Sequence, residues 1–144
     1  MQKALFACAA AMLVSVGVAP QARAADDLCF EKAQTQTQLT ACAADALRRN
    51  DQELNRLYQQ MQGRLKGDDK MRQRLTEAQR RWIEFRDAEC AFTTAGTMGG
   101  SIHAMNLNNC LAELTRNRVI ELQNHLACGK GADEQTALEC ALPR

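Results

Sequence analysis

"QRRWIEFRDAEC", residues 79–90, holds three arginines, three acids, four apolar side chains and a cysteine within twelve positions. Such density fits chemistry, with carboxylates beside an arginine and a thiol. It equally fits one helix that uses every face to hold a bundle together. On a helix, Trp82 and Phe85 lie together, with Ala78 one turn back. Arg86 stands four residues from Trp82, so its guanidinium can lie against the indole. Arg80 with Glu84 and Arg86 with Glu89 have the spacing of helical ion pairs, each contributing a few tenths of a kcal/mol. "RDAEC" exceeds what a solvated face needs. The expectation is that Arg86 or Asp87 is partly buried and ties the helix to a neighbour, with Arg118 a candidate partner for the acid. A buried arginine of this kind specifies the fold rather than a reaction. Trp82, Phe85, Arg86, Asp87 and Arg118 are therefore read as structural.

The catalytic reading finds little support. Carboxylate pairs such as Glu84 and Asp87 occur on most charged helices. Cys90 would need to be a thiolate near a histidine to act as a nucleophile. Ser101 and His103 stand two apart in a glycine-rich segment, with no nucleophile elbow and no orienting acid. No catalytic residue is assigned, and the chain is read as a non-enzyme.

The N-terminus sets the compartment. Lys3 precedes the apolar run "ALFACAAAMLVSVGVA", and Ala22-Arg23-Ala24 forms an A-x-A cleavage site. This is the pattern of a secretory signal peptide over 1–24, with the mature chain starting at Ala25. "LFAC" at 5–8 resembles a lipoprotein box but precedes the apolar stretch, so no lipid anchor is expected. Cleavage removes Lys3 and Arg23 and no acid, leaving 16 basic against 17 acidic residues, a net of −1. That balance is no footprint for nucleic acid or an anionic membrane. The expected location is periplasmic or secreted.

Cys8 leaves with the signal, so Cys29, Cys42, Cys90, Cys110, Cys128 and Cys140 remain. An even count in an exported chain reads as three disulfides, and the count alone does not choose among the pairings. No C-x-x-C is present, and neither His103 nor His125 has ligand-like spacing to a cysteine pair. Neither metal nor cofactor is expected.

The mature chain is rich in good helix formers and has one proline, near its end. Leu47, Leu54, Tyr58, Met61 and Leu65 form one apolar stripe at helical spacing. Met71, Leu75, Ala78, Trp82 and Phe85 form a second. Leu107, Leu111, Leu114, Val119, Leu122 and Leu126 form a third. Thr35 with Gln38 fits a capping box, which starts the first long helix near residue 36. Gly67 would end it, and Asp68 or Asp69 would cap the next. That helix runs to about Thr93. "TTAGTMGGSIHAMN", 93–106, has no period and reads as a loop. A third helix fits 106–127, with Gly129 and Gly131 ending it, and a short helical turn fits Asp133–Cys140. The fold class is all-α: a disulfide-stapled bundle of three main helices, with a short N-terminal helix and a small C-terminal disulfide lobe. Residues 25–127 form the domain and 128–144 its disulfide-closed tail.

Chain geometry constrains the cysteines. A disulfide needs Cα atoms within about 7 Å. A continuous helix would hold Cys29 and Cys42 roughly 20 Å apart, so their pairing needs a reversal at "QTQTQ". Pairing neighbours across each expected reversal predicts Cys29–Cys42, Cys90–Cys110 at the base of the glycine loop, and Cys128–Cys140.

"TQTQLTACAADALRRNDQELNRLYQQM" (35–61), "LTEAQRRWIEFRDAEC" (75–90) and "GGSIHAMNLNNCLAELTRNRVIEL" (99–122) together resemble the lysozyme-inhibitor LprI-like N-terminal domain. The resemblance spans about residues 28–126. It rests on Cys29, Cys42, Leu54-Asn55 with Tyr58, Gln79-Arg80 with Trp82, Phe85-Arg86-Asp87-Ala88 with Cys90, Gly100-Ser101, Cys110, and Thr115 with Arg118. It implies an all-helical, exported, disulfide-bonded domain, in a family named for a mycobacterial lipoprotein that inhibits lysozyme. This chain departs from the pattern in lacking a credible lipidation site and in its added lobe, 128–140.

Two functional expectations follow. In the first, the protein is a binding module that meets a protein partner, lysozyme being the one the resemblance names, through the glycine loop. Met98 and Met105 would supply adaptable apolar contact, and Ser101, His103 and Asn106 polar groups. In the second, it is a structural or envelope-stress component. It would then bind peptidoglycan fragments or another envelope protein through a helix face.

Overall fold

A computed structural model describes residues 19–128, 130 and 134–142, with backbone alone at 19–24, 134 and 136. Nearly all of the expected signal sequence, residues 1–18, lies outside the described residues, as do Gly129, Gly131 and Asp133. Every regular element among the described residues is helical. They are α1 (Ala19–Lys32), α2 (Gln36–Arg64), α3 (Asp69–Thr93), a single 3-10 turn (Ala95–Thr97), α4 (His103–Ala127) and α5 (Glu134–Leu138).

Local chemistry sets the boundaries. Thr35 accepts from the Gln38 backbone N–H, and the Gln38 side chain accepts from that of Thr35, a complete capping box. Asp68 caps α3 by accepting from Met71 N. Between α2 and α3, Gly67 has φ +93°, where a Cβ would be strained.

The three long helices run up, down and up. Gln36 touches Met105, Asn50 donates to the Ala112 carbonyl and Arg64 to the Leu126 carbonyl, so α2 and α4 are parallel. Tyr58 meets Thr76 and Arg86 meets Asp51, so α3 returns antiparallel to α2. Buried Ala43, Ala46 and Ala112 leave room for close approach of α2 and α4 at one end. At the other end lies the apolar core: Leu54, Leu57, Met61 and Leu65 of α2 against Val119, Leu122 and Leu126 of α4. Met71, Leu75 and Trp82 bring α3 onto it. Leu142 plugs the same core from the tail.

The three disulfides are Cys29–Cys42, Cys90–Cys110 and Cys128–Cys140, with Cα atoms 5.6–5.7 Å apart. The first pins α1 antiparallel to α2, with Arg49 paired to Asp26 beyond it. The second joins the end of α3 to the start of α4. The third turns the tail back toward the core. Each closes a loop of a dozen to twenty residues, removing on the order of 3 kcal/mol of entropy from the unfolded chain.

The stretch 79–90 lies wholly within α3, and its faces are now distinct. At about 100° per residue, Met71, Leu75, Gln79, Trp82, Arg86 and Cys90 fall within one arc of about 100°. That arc faces α2 and α4. Phe85 lies about 90° from its centre and is 56% exposed, contrary to its expected place in the core.

Arg86 is the inward cation, its side chain 14% exposed. Nη1 donates to Asp51 Oδ1 on α2 (3.1 Å) and to Thr115 Oγ1 on α4 (3.2 Å). Its guanidinium lies 5.3 Å from the Trp82 ring centre, and that of Arg118 lies 5.8 Å from the same ring. One side chain therefore bonds to all three long helices. Asp87 points outward and, among the described residues, pairs with Arg86 alone. Arg118 bonds Gln79 and Glu121, not Asp87. Glu89 is left without Arg86, because the guanidinium is directed between α2 and α4. The exposed pairs also differ from expectation. Arg80 bonds Glu77, and Glu84 bonds Arg81. Helical side chains lean toward the N-terminus, which carries Arg80 back to Glu77 and Glu84 back to Arg81. Arg80, and then Arg81, hold the Glu77 carboxyl below its ordinary range by hydrogen bonding.

Candidate functional site

The segment after α3 is short and tightly bonded. Thr94 is buried and donates its hydroxyl to the Cys90 carbonyl (2.7 Å). Thr97 donates to the Thr94 carbonyl (2.9 Å), and Met98 N to that of Ala95 (3.1 Å). Gly99 then takes φ +80°, a left-handed turn suited to glycine. Gly100 N donates to the Thr97 carbonyl, and His103 N to that of Gly100. The Cys90–Cys110 disulfide closes the base. Successive turns, each bonded to the one before, leave this loop few other conformations.

α4 begins at His103, so the loop ends earlier than its composition implies. Of the five side chains expected on an exposed finger, Ser101 and Met98 stand on the exposed loop, Met98 at 72% exposure. His103, Met105 and Asn106 do not. They occupy the first turns of α4 and are half-buried. The physical reason is that no helix breaker follows Gly100, so α4 starts as soon as the chain leaves the glycine turn. Met105 Sδ accepts from Gln36 Nε2 (3.6 Å), tying α4 to α2. His103 Nδ1 lies 3.1 Å from Thr97 Oγ1. The Thr97 hydroxyl gives its one proton to the Thr94 carbonyl, so it accepts from His103 Nδ1–H. His103 is thus a brace for the loop.

Two apolar side chains join Met98 at this end. Phe92, in the last turn of α3, is 79% exposed, and Ile102 is exposed at the start of α4. Between Glu89 and Glu113 there is no Asp, Glu, Lys or Arg. Depletion of charge with exposed aromatic and Met residues is the composition of an interface centre. That charge gap was the readable signal for Phe92 and Ile102, neither of which belongs to an apolar stripe.

The family model for lysozyme inhibitor LprI matches residues 29–122, which takes in this loop, both disulfides of the bundle and the Arg86 network. The chain belongs to the LprI lysozyme-inhibitor family. An uncharacterised protein of Rhizobium meliloti (strain 1021) is 36% identical over 103 residues, covering 64% of this chain and 74% of the relative. No solved structure matches. Membership implies an inhibitor-like binding module with a protein partner such as lysozyme. Together with the three disulfides it points to an extracytoplasmic location.

The LprI match ends at Leu122, before the Cys128–Cys140 tail. Among the described residues, no group of three or more His, Cys, Asp or Glu could hold a metal ion, and no helix is long and apolar enough to cross a membrane. All six cysteines named above are oxidised and unavailable as nucleophiles.

Proposed function

We propose that the protein is an exported, non-enzymatic inhibitor and that loop 94–102, with Phe92 beside it, is the surface that meets lysozyme. The observation that carries this reading is a loop fixed at its base by Cys90–Cys110, with Met98 on it and Phe92 of α3 beside it standing largely in solvent. Burying such a side chain against a partner is worth roughly 1.5–3 kcal/mol. A loop already held in one conformation loses little further entropy on binding. Ser101 supplies a hydroxyl at the same rim, and His103 acts through Thr97.

A lysozyme-driven cell-wall lysis assay tests the reading. Oxidised residues 25–144 should slow lysis in proportion to their concentration. A Phe92→Ala/Met98→Ala double variant should inhibit at least tenfold less while melting within about 0.5 kcal/mol of the parent, as exposed substitutions do. Ser101→Ala should weaken inhibition modestly at unchanged stability. Failure of the parent at large molar excess would remove lysozyme. The envelope-binding reading would then lead, on one specific observation: Phe85 and Phe92, seven apart, share one exposed face of α3. Arg118, being held inward, is no candidate for that surface.

A further inference from the structure

At the end of the bundle opposite the loop, the apolar core opens to the surface. A pocket of about 260 Å³ lies between the last turns of α2 and α4, the first turns of α3 and the returning tail. Buried Leu65, Leu122 and Leu142 form its apolar floor and Met71, Leu75 and Ala78 its rim; Arg74, Arg118 and His125 line it as well, with no acid among the described residues that line it. Arg118 is engaged by Glu121 (2.7 Å) and Gln79 (3.3 Å). Arg74 is exposed and has no ion pair among the described residues, only a weak contact from Nη1 to Met71 Sδ (3.8 Å). His125 is exposed in the last turn of α4.

An apolar slot with a guanidinium at its mouth that no described carboxylate pairs is complementary to an amphiphile. The slot takes hydrocarbon out of water, and the guanidinium makes charge-assisted hydrogen bonds to an anionic head. The volume falls below the roughly 300–1,000 Å³ of ordinary ligand clefts, which suits one short alkyl chain and is too small for a two-chain lipid. We infer that this pocket binds a single-chain anionic amphiphile, an alkyl carboxylate or alkyl phosphate. Its chain lies against Met71, Leu75 and Ala78, over the floor that Leu122 and Leu142 close, and its head lies at Arg74 and His125. The Cys128–Cys140 disulfide, by returning Leu142, completes the slot. This role is separate from the loop and does not depend on lysozyme.

The test is calorimetric titration of oxidised residues 25–144 with decanoate, decyl phosphate, decanol and inorganic phosphate, below the micelle concentration of each amphiphile. Fluorescence of Trp82, the chain's single tryptophan, serves as a second readout beside Arg118. Decanoate and decyl phosphate should bind one to one. Shortening the chain by two methylenes should weaken binding about tenfold, from ~0.8 kcal/mol per buried methylene. Arg74→Glu should weaken both anions at least fivefold and leave decanol unchanged. Ala78→Leu, which fills the slot from its exposed edge, should weaken all three chain ligands while the melt stays at that of the parent. Tighter binding of decyl phosphate than of decanoate would identify a lysophospholipid-type head, and the reverse a fatty acid. The inference is overturned by no binding of either anion at millimolar concentration, by affinity independent of chain length, by Arg74→Glu without effect, or by inorganic phosphate binding as well as decyl phosphate.

Discussion

Arg86→Ala should loosen α3 from the other two helices, and the size of the loss can be worked from its contacts. The substitution removes hydrogen bonds from a charged group to Asp51 and Thr115, worth roughly 1.5–3 kcal/mol together with what they leave unpaired. It also removes a guanidinium from the Trp82 face, about 0.5–1 kcal/mol. Breaking a fully buried ion pair costs roughly 3–5 kcal/mol, but the Asp51 side chain is 41% exposed, so water takes up much of its charge. Thr115 is fully buried, yet its hydroxyl can turn to a carbonyl one turn back. The net expectation is about 2–3 kcal/mol. Urea melts of the oxidised protein, followed by Trp82 fluorescence, measure it. Asp87→Ala, at an exposed partner of the same arginine, should cost under about 1 kcal/mol. In a double-mutant cycle, Arg86→Ala with Asp51→Ala should show coupling above about 0.5 kcal/mol. An Arg86→Ala loss no larger than that of Asp87→Ala, or a coupling of zero, would refute the view that this arginine joins the three helices.

Trp82→Ala should cost about 3 kcal/mol, the lower end for a large aromatic because the ring is only partly buried, whereas Arg80→Ala should cost well under about 1 kcal/mol; the same melts decide both. The Glu53 carboxyl is held below its ordinary value of 4.5, chiefly by its hydrogen bond to Arg56. A depressed carboxyl stabilises above the unfolded value and loses that contribution as pH falls through the folded one. Glu53→Gln should therefore lower stability at pH 7 by under about 1 kcal/mol and by less as pH falls below the ordinary carboxyl range, as melts across that range would show. Intact mass of the exported protein should correspond to cleavage after Ala24 with three disulfides, and an acyl adduct on Cys8 or a thiol open to alkylation would count against the proposed export route.

The course of the three long helices, the capping box at Thr35, an aspartate cap at 68 or 69 and the disulfide pairing were legible in the chain, because each rests on local chemistry or on short loop closure. A hydroxyl three residues before a glutamine caps a helix in any surroundings, and two cysteines flanking a forced reversal meet whatever the rest of the chain does. Phe85 and Arg86 could not be sorted in that way. Both stand within a turn of Trp82, and which one faces inward depends on where α2 and α4 lie against α3. Once Asp51 and Thr115 come together from those two helices, the guanidinium finds oxygens to bond inside and the phenyl ring is turned to solvent. The start of α4 was likewise hidden, because glycine composition marks a loop but not the residue where a helix resumes. The pocket at Arg74 and Leu142 is the furthest from sequence. Its walls come from three helices and a tail distant in the chain, and only their packing places hydrocarbon beside a cation that has no ion pair among the described residues.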